Sequence, residues 1–124
     1  MRILLIEDDA FVAEIVTSGM KEANHEVTHT ADGHDGFEQA MANRFDVMIF
    51  DRLLPGGLDG AELVRKLRHK RVSTPVLFLS GFGGLGDWIT GLEAGGDDYI
   101  VKPFMLSELL SRVEALHQRP RATG

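Results

Sequence analysis

Six polar residues of this chain stand where an apolar run stops. ILLIEDD passes from residues 3–6 into Glu7, Asp8 and Asp9, VMIFD ends on Asp51, VLFLS closes on Ser80, and YIVKP runs into Lys102 and Pro103. Carboxylates gathered in one place repel. Two of them at about 4 Å cost roughly 4 kcal/mol at an effective dielectric near 20, so one protonates unless something relieves the pair. A hard divalent cation does so, and Mg²⁺ suits a shallow site of few carboxylates, waters and a phosphate, Mn²⁺ being able to substitute. An aspartate beside such an ion can attack phosphorus and form an acyl phosphate. The group in transit carries spread negative charge, which the Lys102 ammonium and the Ser80 hydroxyl would stabilise. Read singly, each residue has a plainer role: Asp51 as a turn residue, residues 7–9 as a helix cap, Ser80 as a turn hydroxyl, Lys102 as a surface charge. Their recurrence at successive strand ends favours the joint reading.

Those ends need a sheet to bring them together. Strand-length apolar runs occur at residues 3–6, 27–30, 47–50, 76–79 and 99–101, the second being weaker and more polar. The first, third and fourth do not alternate with polar residues, as expected of strands covered on both faces. Between them lie helical stripes: Val12, Ile15, Val16 and Met20; Phe37, Ala40 and Met41; Ala61, Val64 and Leu67; Leu85, Ile89 and Leu92; and Leu106, Leu109, Leu110, Val113 and Leu116. Strand–helix alternation of this kind predicts an α/β fold, a doubly wound five-stranded parallel sheet with helices on both faces. Ligands in such sheets collect beyond the carboxyl ends of the strands, where the six residues stand.

The 124 residues fit one domain, 44% hydrophobic and 26% charged. A net charge of -6 argues against nucleic-acid binding by these residues themselves. The absence of cysteine removes disulfides and thiolate metal sites and fits a reducing compartment. No apolar run has the length of a membrane span, so the reading is a cytoplasmic protein with no membrane partner.

The motifs ILLIEDD, MIFDRLLPGG, PVLFLSG and GGDDYIVKPF together resemble the receiver domain of two-component response regulators, over essentially residues 1–118, with 119–124 expected as a linker start or chain end. The resemblance implies a flavodoxin/CheY-like sheet of order 2-1-3-4-5 and a phosphoryl group passed from a sensor histidine kinase to Asp51. It further implies that Asp8 and Asp51 ligate Mg²⁺ directly, Glu7 through water, and the Leu53 carbonyl as another ligand. Ser80 and Lys102 would bind the phosphoryl oxygens, and the Lys102–Pro103 bond would be cis. In the implied switch Ser80 moves toward the phosphoryl group and Tyr99 turns inward behind it, changing the face formed by the fourth helix, fifth strand and fifth helix. Such a domain promotes its own phosphoryl transfer and slow dephosphorylation but is not a multiple-turnover enzyme. GLEAGGDDYIVKPF resembles the OmpR/PhoB-like subclass, whose receivers precede a winged-helix DNA-binding domain. This implies homodimerisation on phosphorylation through Asp97, Asp98, Glu108 and Arg112, and DNA contact only through a C-terminal domain not in this chain.

Departures from the pattern carry their own expectations. PGGLDG is one residue longer than the common loop. SGFGGLGDW is glycine-rich, which predicts a short, late-starting or mobile fourth helix, since each interior Gly costs about 1 kcal/mol. Thr90 replaces a basic residue, and Trp88 replaces a charged one, either as an exposed anchor for a partner or folded onto the glycine-rich segment. Met105 stands where a capping Ser is common, with Ser107 as a partial substitute; Asp9 is expected to cap the first helix. Apolar Leu53 and Phe82 would flank the path of attacking water, predicting slow loss of the phosphoryl group. The five histidines show no ligand spacing and read as surface residues. Three competing readings remain. A phosphohydrolase lacks its Asp-x-Asp, because Leu53 stands at the second position. A flavodoxin-like binder would have its phosphate repelled by residues 7–9. A receiver-like scaffold would act through protein contacts without phosphorylation.

Overall fold

The computed structural model describes residues 1–81 and 84–119. Five parallel strands form the main sheet in the order β2-β1-β3-β6-β7: β1 (Arg2–Ile6), β2 (Glu26–Thr30), β3 (Val47–Phe50), β6 (Val76–Ser80) and β7 (Asp98–Val101). Counting the strands of this sheet alone, that is the expected 2-1-3-4-5 order. A two-residue antiparallel pair, β4 (Leu53–Leu54) and β5 (Leu58–Asp59), follows β3 and was not foreseen. The five helices are α1 (Ala10–Glu22), α2 (Gly33–Ala42), α3 (Gly60–His69), α4 (Leu85–Glu93) and α5 (Leu106–Gln118).

The unalternating strands are explained by two cores. Leu4, Ile6, Met48, Phe50, Val76 and Phe78 face one way, onto Ala61, Val64 and Leu67 of α3. Ile3, Leu5, Val47, Ile49, Leu77 and Leu79 face the other, onto α1 and α5 through Val16, Met20, Leu109 and Val113. Successive residues point to opposite faces, so a strand covered on both must be apolar throughout. β2 lies at the sheet edge, half-covered, which accounts for its polar sequence. Among the described residues no helix is long and apolar enough to cross a membrane.

Helix starts follow local chemistry. Asp9, as expected, caps α1, accepting from the amides of Phe11 and Val12 at 2.9 and 3.2 Å. Asp32 and Asp59 cap α2 and α3 in the same way. At α5 the expectation for Ser107 fails: Met105 is the capping residue and no side chain bonds there.

α4 is short, nine residues, and starts at Leu85 without a side-chain cap. Its expected stripe is not the buried face, for Leu85, Ile89 and Leu92 are 75, 46 and 45% exposed. The helix packs instead through Gly91 and Ala94. Gly91 comes so near the Phe78 and Tyr99 rings that an added Cβ would lie 3.1 and 3.3 Å from them. Small residues win the inner face because the aromatic rings already fill the space.

Candidate functional site

The strand registers decide what meets at the sheet's carboxyl edge. Ile6 pairs with Phe50, so Glu7 and Asp51 leave neighbouring strands at the same level. Ser80 pairs with Val101, which sets Lys102 one residue beyond it. Backbone bonds tighten this rim: Asp51 N donates to Ile6 O at 3.0 Å, and Lys102 N to Ser80 O at 2.7 Å. The Lys102–Pro103 peptide is cis, as expected. A cleft of about 310 Å³ results, lined by Glu7, Asp8, Asp9, Asp51, Leu53, Ser80, Gly81 and Lys102. All six residues first singled out, and Leu53, therefore converge.

Within it, Lys102 Nζ lies 2.6 Å from Glu7 Oε1 and 3.2 Å from Asp51 Oδ2. Asp51 Oδ1 accepts from Leu53 N at 3.2 Å, and Glu7 Oε2 from Asp9 N at 3.1 Å. Glu7, Asp51 and Ser80 are buried, whereas Asp8 is exposed. Burial pushes the Glu7 carboxyl up to about 7, against the pull of Lys102 and the Asp9 amide. Burial also pulls the Lys102 ammonium down, but Glu7 and Asp51 outweigh it and the net direction is up. One ammonium thus serves a surplus of acid. Carboxylate oxygens of Glu7, Asp8 and Asp51 lie within 4.8 Å of one another, an oxygen-only donor set that fits a hard divalent cation.

The remaining predicted residues are placed as follows. Tyr99 is 2% exposed, its ring 5.9 Å from Phe78 and 5.8 Å from Trp88, so it already points inward. Trp88 is 39% exposed, with its ring 5.8 Å from that of Tyr99; residues 82 and 83 of the glycine-rich segment lie outside the described residues. Asp97 is held inside the chain, bonded to Arg68 at 3.2 Å and to Val76 N at 2.9 Å. Asp98 pairs with Arg112 of its own chain at 2.9 Å, and Glu108 is exposed in the first turn of α5. Thr90 turns its hydroxyl back to Gly86 O at 2.9 Å. Phe82 lies outside the described residues.

Two features, Gly60 and Arg52, went unread in the sequence, and the structure shows how the longer loop noted there is accommodated. Gly60 passes so close over the acceptor strand that an added Cβ would stand 2.1 Å from Asp51 O, and its amide donates to Arg52 O at 2.7 Å. The extra loop residue is absorbed by Gly56 and Gly57, both left-handed with φ of 79° and 74°. Arg52, only 5% exposed, pairs with Asp59. An Arg directly after the strand-end acid, with an Asp-Gly seven residues on, was the available signal. The reading of the histidines as surface residues needs correction at His25. His25 keeps only 12% of its side chain exposed, with Nδ1 3.0 Å from the N-terminal amine. His29 is exposed, as expected, while its Nε2 reaches Glu7 O at 2.8 Å.

A parallel sheet of this order, with acids, a hydroxyl and a lysine at its carboxyl edge, defines a receiver. The family model for the response regulator receiver domain matches residues 3–114, and the chain belongs to that family. It is 40% identical over 119 residues to the probable transcriptional regulatory protein SilR of Salmonella typhimurium, covering 96% of this chain and 52% of that protein. The chain spans about half the length of the curated relatives it matches. Among solved structures, the Francisella response regulator 1452 receiver domain superposes with a TM-score of 0.90 at 34% identity, over 95% of this chain and 97% of that one. The receiver domain of the Pseudomonas aeruginosa sensor histidine kinase PA1611, with a magnesium ion coordinated in its active-site cleft, gives 0.86 at 29% identity, over 95 and 98%.

Proposed function

We propose that this receiver is a phosphorylation-driven switch whose acceptor is Asp51. The observation that carries the reading is Lys102 Nζ, 3.2 Å from Asp51 Oδ2 and bridged to buried Glu7, in a cleft it shares with Ser80. An Asp51 carboxylate oxygen attacks the phosphorus of a phosphohistidine on a sensor kinase; the P–N bond breaks, and its electron pair returns to the imidazole nitrogen. Lys102 and Ser80 receive the phosphoryl oxygens, and Leu53 N, already donating to Asp51 Oδ1, orients the nucleophile. Glu7, Asp8, Asp51 and the Leu53 carbonyl would hold Mg²⁺ or Mn²⁺, which supplies charge compensation for the acids and the incoming group. The magnesium ion in the PA1611 active-site cleft supports a divalent cation at this place, and the acidic oxygens of Glu7, Asp8 and Asp51 supply the donors here.

The chain is a phosphoacceptor with slow self-dephosphorylation, not a multiple-turnover enzyme, and works in the cytoplasm. Exposed Leu85, Ile89 and Leu92 beside the Asp98–Arg112 pair favour homodimerisation through α4, β7 and α5 once Asp51 is modified. Because SilR is a transcriptional regulatory protein about twice this length, the output is DNA binding by a further domain. The test is intact-mass measurement after treatment with a small phosphodonor and Mg²⁺. The parent gains one phosphoryl group and Asp51→Ala gains none; a scaffold working without phosphorylation gains none in either.

A further inference from the structure

Arg52, which follows the acceptor directly, sends its side chain to the opposite side of the sheet edge. Nε and Nη2 donate to the two oxygens of Asp59 at 2.9 and 3.2 Å, the paired geometry a guanidinium favours. Nη1 donates to the backbone carbonyl of Asp87, in the first turn of α4, at 2.8 Å. The guanidinium carbon stands 5.8 Å from the centre of the Phe78 ring, and that ring packs against Tyr99 with centroids 5.9 Å apart. One buried cation therefore touches the hairpin after β3, the start of α4 and the Phe78 ring on which the tyrosine of β7 packs.

Its two ends differ in rigidity. The backbone of residues 51 and 52 is clamped by Gly60, whose amide bonds to Arg52 O and whose Cα leaves no room for a side chain. α4, by contrast, lacks a side-chain cap, has nine residues, and buries only Gly91 within its span. A helix held this lightly takes much of its placement from a tether at its first turn. We propose that Arg52 is a positioning residue that fixes the first turn of α4 and the inward Tyr99 to the strand end bearing Asp51, so that a change at Asp51 reaches the α4 face through this guanidinium. The transmission half rests on the phosphoacceptor reading; the tether itself does not.

Trp88 is the only tryptophan and lies on Tyr99, so it reports the contact directly. The experiment compares the full chain with Arg52→Gln, Arg52→Lys and Asp59→Asn, unmodified and with beryllofluoride and Mg²⁺. Trp88 emission and acrylamide quenching are read, with phosphodonor uptake by mass on the same preparations. In Arg52→Gln the emission of the unmodified protein moves to longer wavelength, quenching rises, and the response to beryllofluoride is lost while phosphoryl uptake persists. Arg52→Lys keeps the charge without the fork and behaves likewise. Asp59→Asn, which keeps a competent cap on α3, shows the same shift in smaller measure and decides the matter alone should Arg52→Gln fail to fold. Parent-like Trp88 signals in these variants, even with a lowered Tm, overturn the proposal. A parent that takes up no phosphoryl group instead sinks the phosphoacceptor reading and leaves the unmodified Trp88 comparison to judge the tether.

Discussion

Asp51 and Arg52 are neighbours in the chain, yet they belong to two regions that treat buried charge in opposite ways. In the cleft, one ammonium faces Glu7 and Asp51, with Asp8 beside them, and burial lifts Glu7 toward neutrality. Behind it, Arg52 and Asp59 match one to one with fork and carboxylate satisfied. A region left short of positive charge can accept a cation or a phosphoryl group with its counterions. A region already balanced has nothing to gain from a ligand and serves as a strut. Charge balance, more than burial, separates the reactive place from the supporting one.

Several substitutions probe that contrast. Gly60→Ala strikes where the two regions meet, since its Cβ would enter the Asp51 carbonyl; a loss of about 3 kcal/mol in urea unfolding is expected. Arg52→Gln removes the cation of the balanced region and leaves part of the Asp59 carboxylate unpaired, costing about 2 kcal/mol by the same measurement. Lys102→Met, in the acid-rich region, costs about 1 kcal/mol or less near neutral pH, because Glu7 can take up a proton in place of the lost ammonium. A Lys102→Met cost equal to that of Arg52→Gln would erase the distinction. Leu53→Asn, at a half-exposed position on the cleft wall, hastens loss of the phosphoryl group about tenfold, equivalent to roughly 1.4 kcal/mol.

The smallest effect is a pH dependence. Burial tends to raise the Asp59 carboxyl, but the Arg52 and Ala61 hydrogen bonds prevail and hold it below the usual aspartate value. A carboxyl depressed in the folded state stabilises fully above its unfolded pKa, near 3.9, and that contribution disappears as pH falls through the folded value. Unfolding midpoints in acid should therefore fall less steeply for Asp59→Asn than for the parent. Equal slopes would remove Asp59 from the balanced pair.

What could be read from the sequence was whatever rests on local pattern and on register. Apolar runs of residues 3–6 and 47–50 ending in acids give the strands and their ends, and parallel pairing then brings Glu7, Asp51, Ser80 and Lys102 together. The Asp9 cap is equally local, whereas the cis bond before Pro103 was expected only from the family resemblance. Of the Arg52 strut only the Asp59 partner left a local signal, seven residues on; the α4 carbonyl and the Phe78 ring were hidden because no spacing rule links them to Arg52. The α4 stripe misled for a related reason. Its leucines and isoleucine are periodic, but Phe78 and Tyr99 occupy the inner space and admit only Gly91 and Ala94.

The most direct experiment locates the modification itself. After treatment with a phosphodonor and Mg²⁺, borohydride reduces an aspartyl phosphate to homoserine, and peptide mass spectrometry reads the position. Conversion at residue 51 alone is the expected result. Conversion at another carboxylate, or none in protein that remains folded, would contradict the assignment of Asp51 as acceptor.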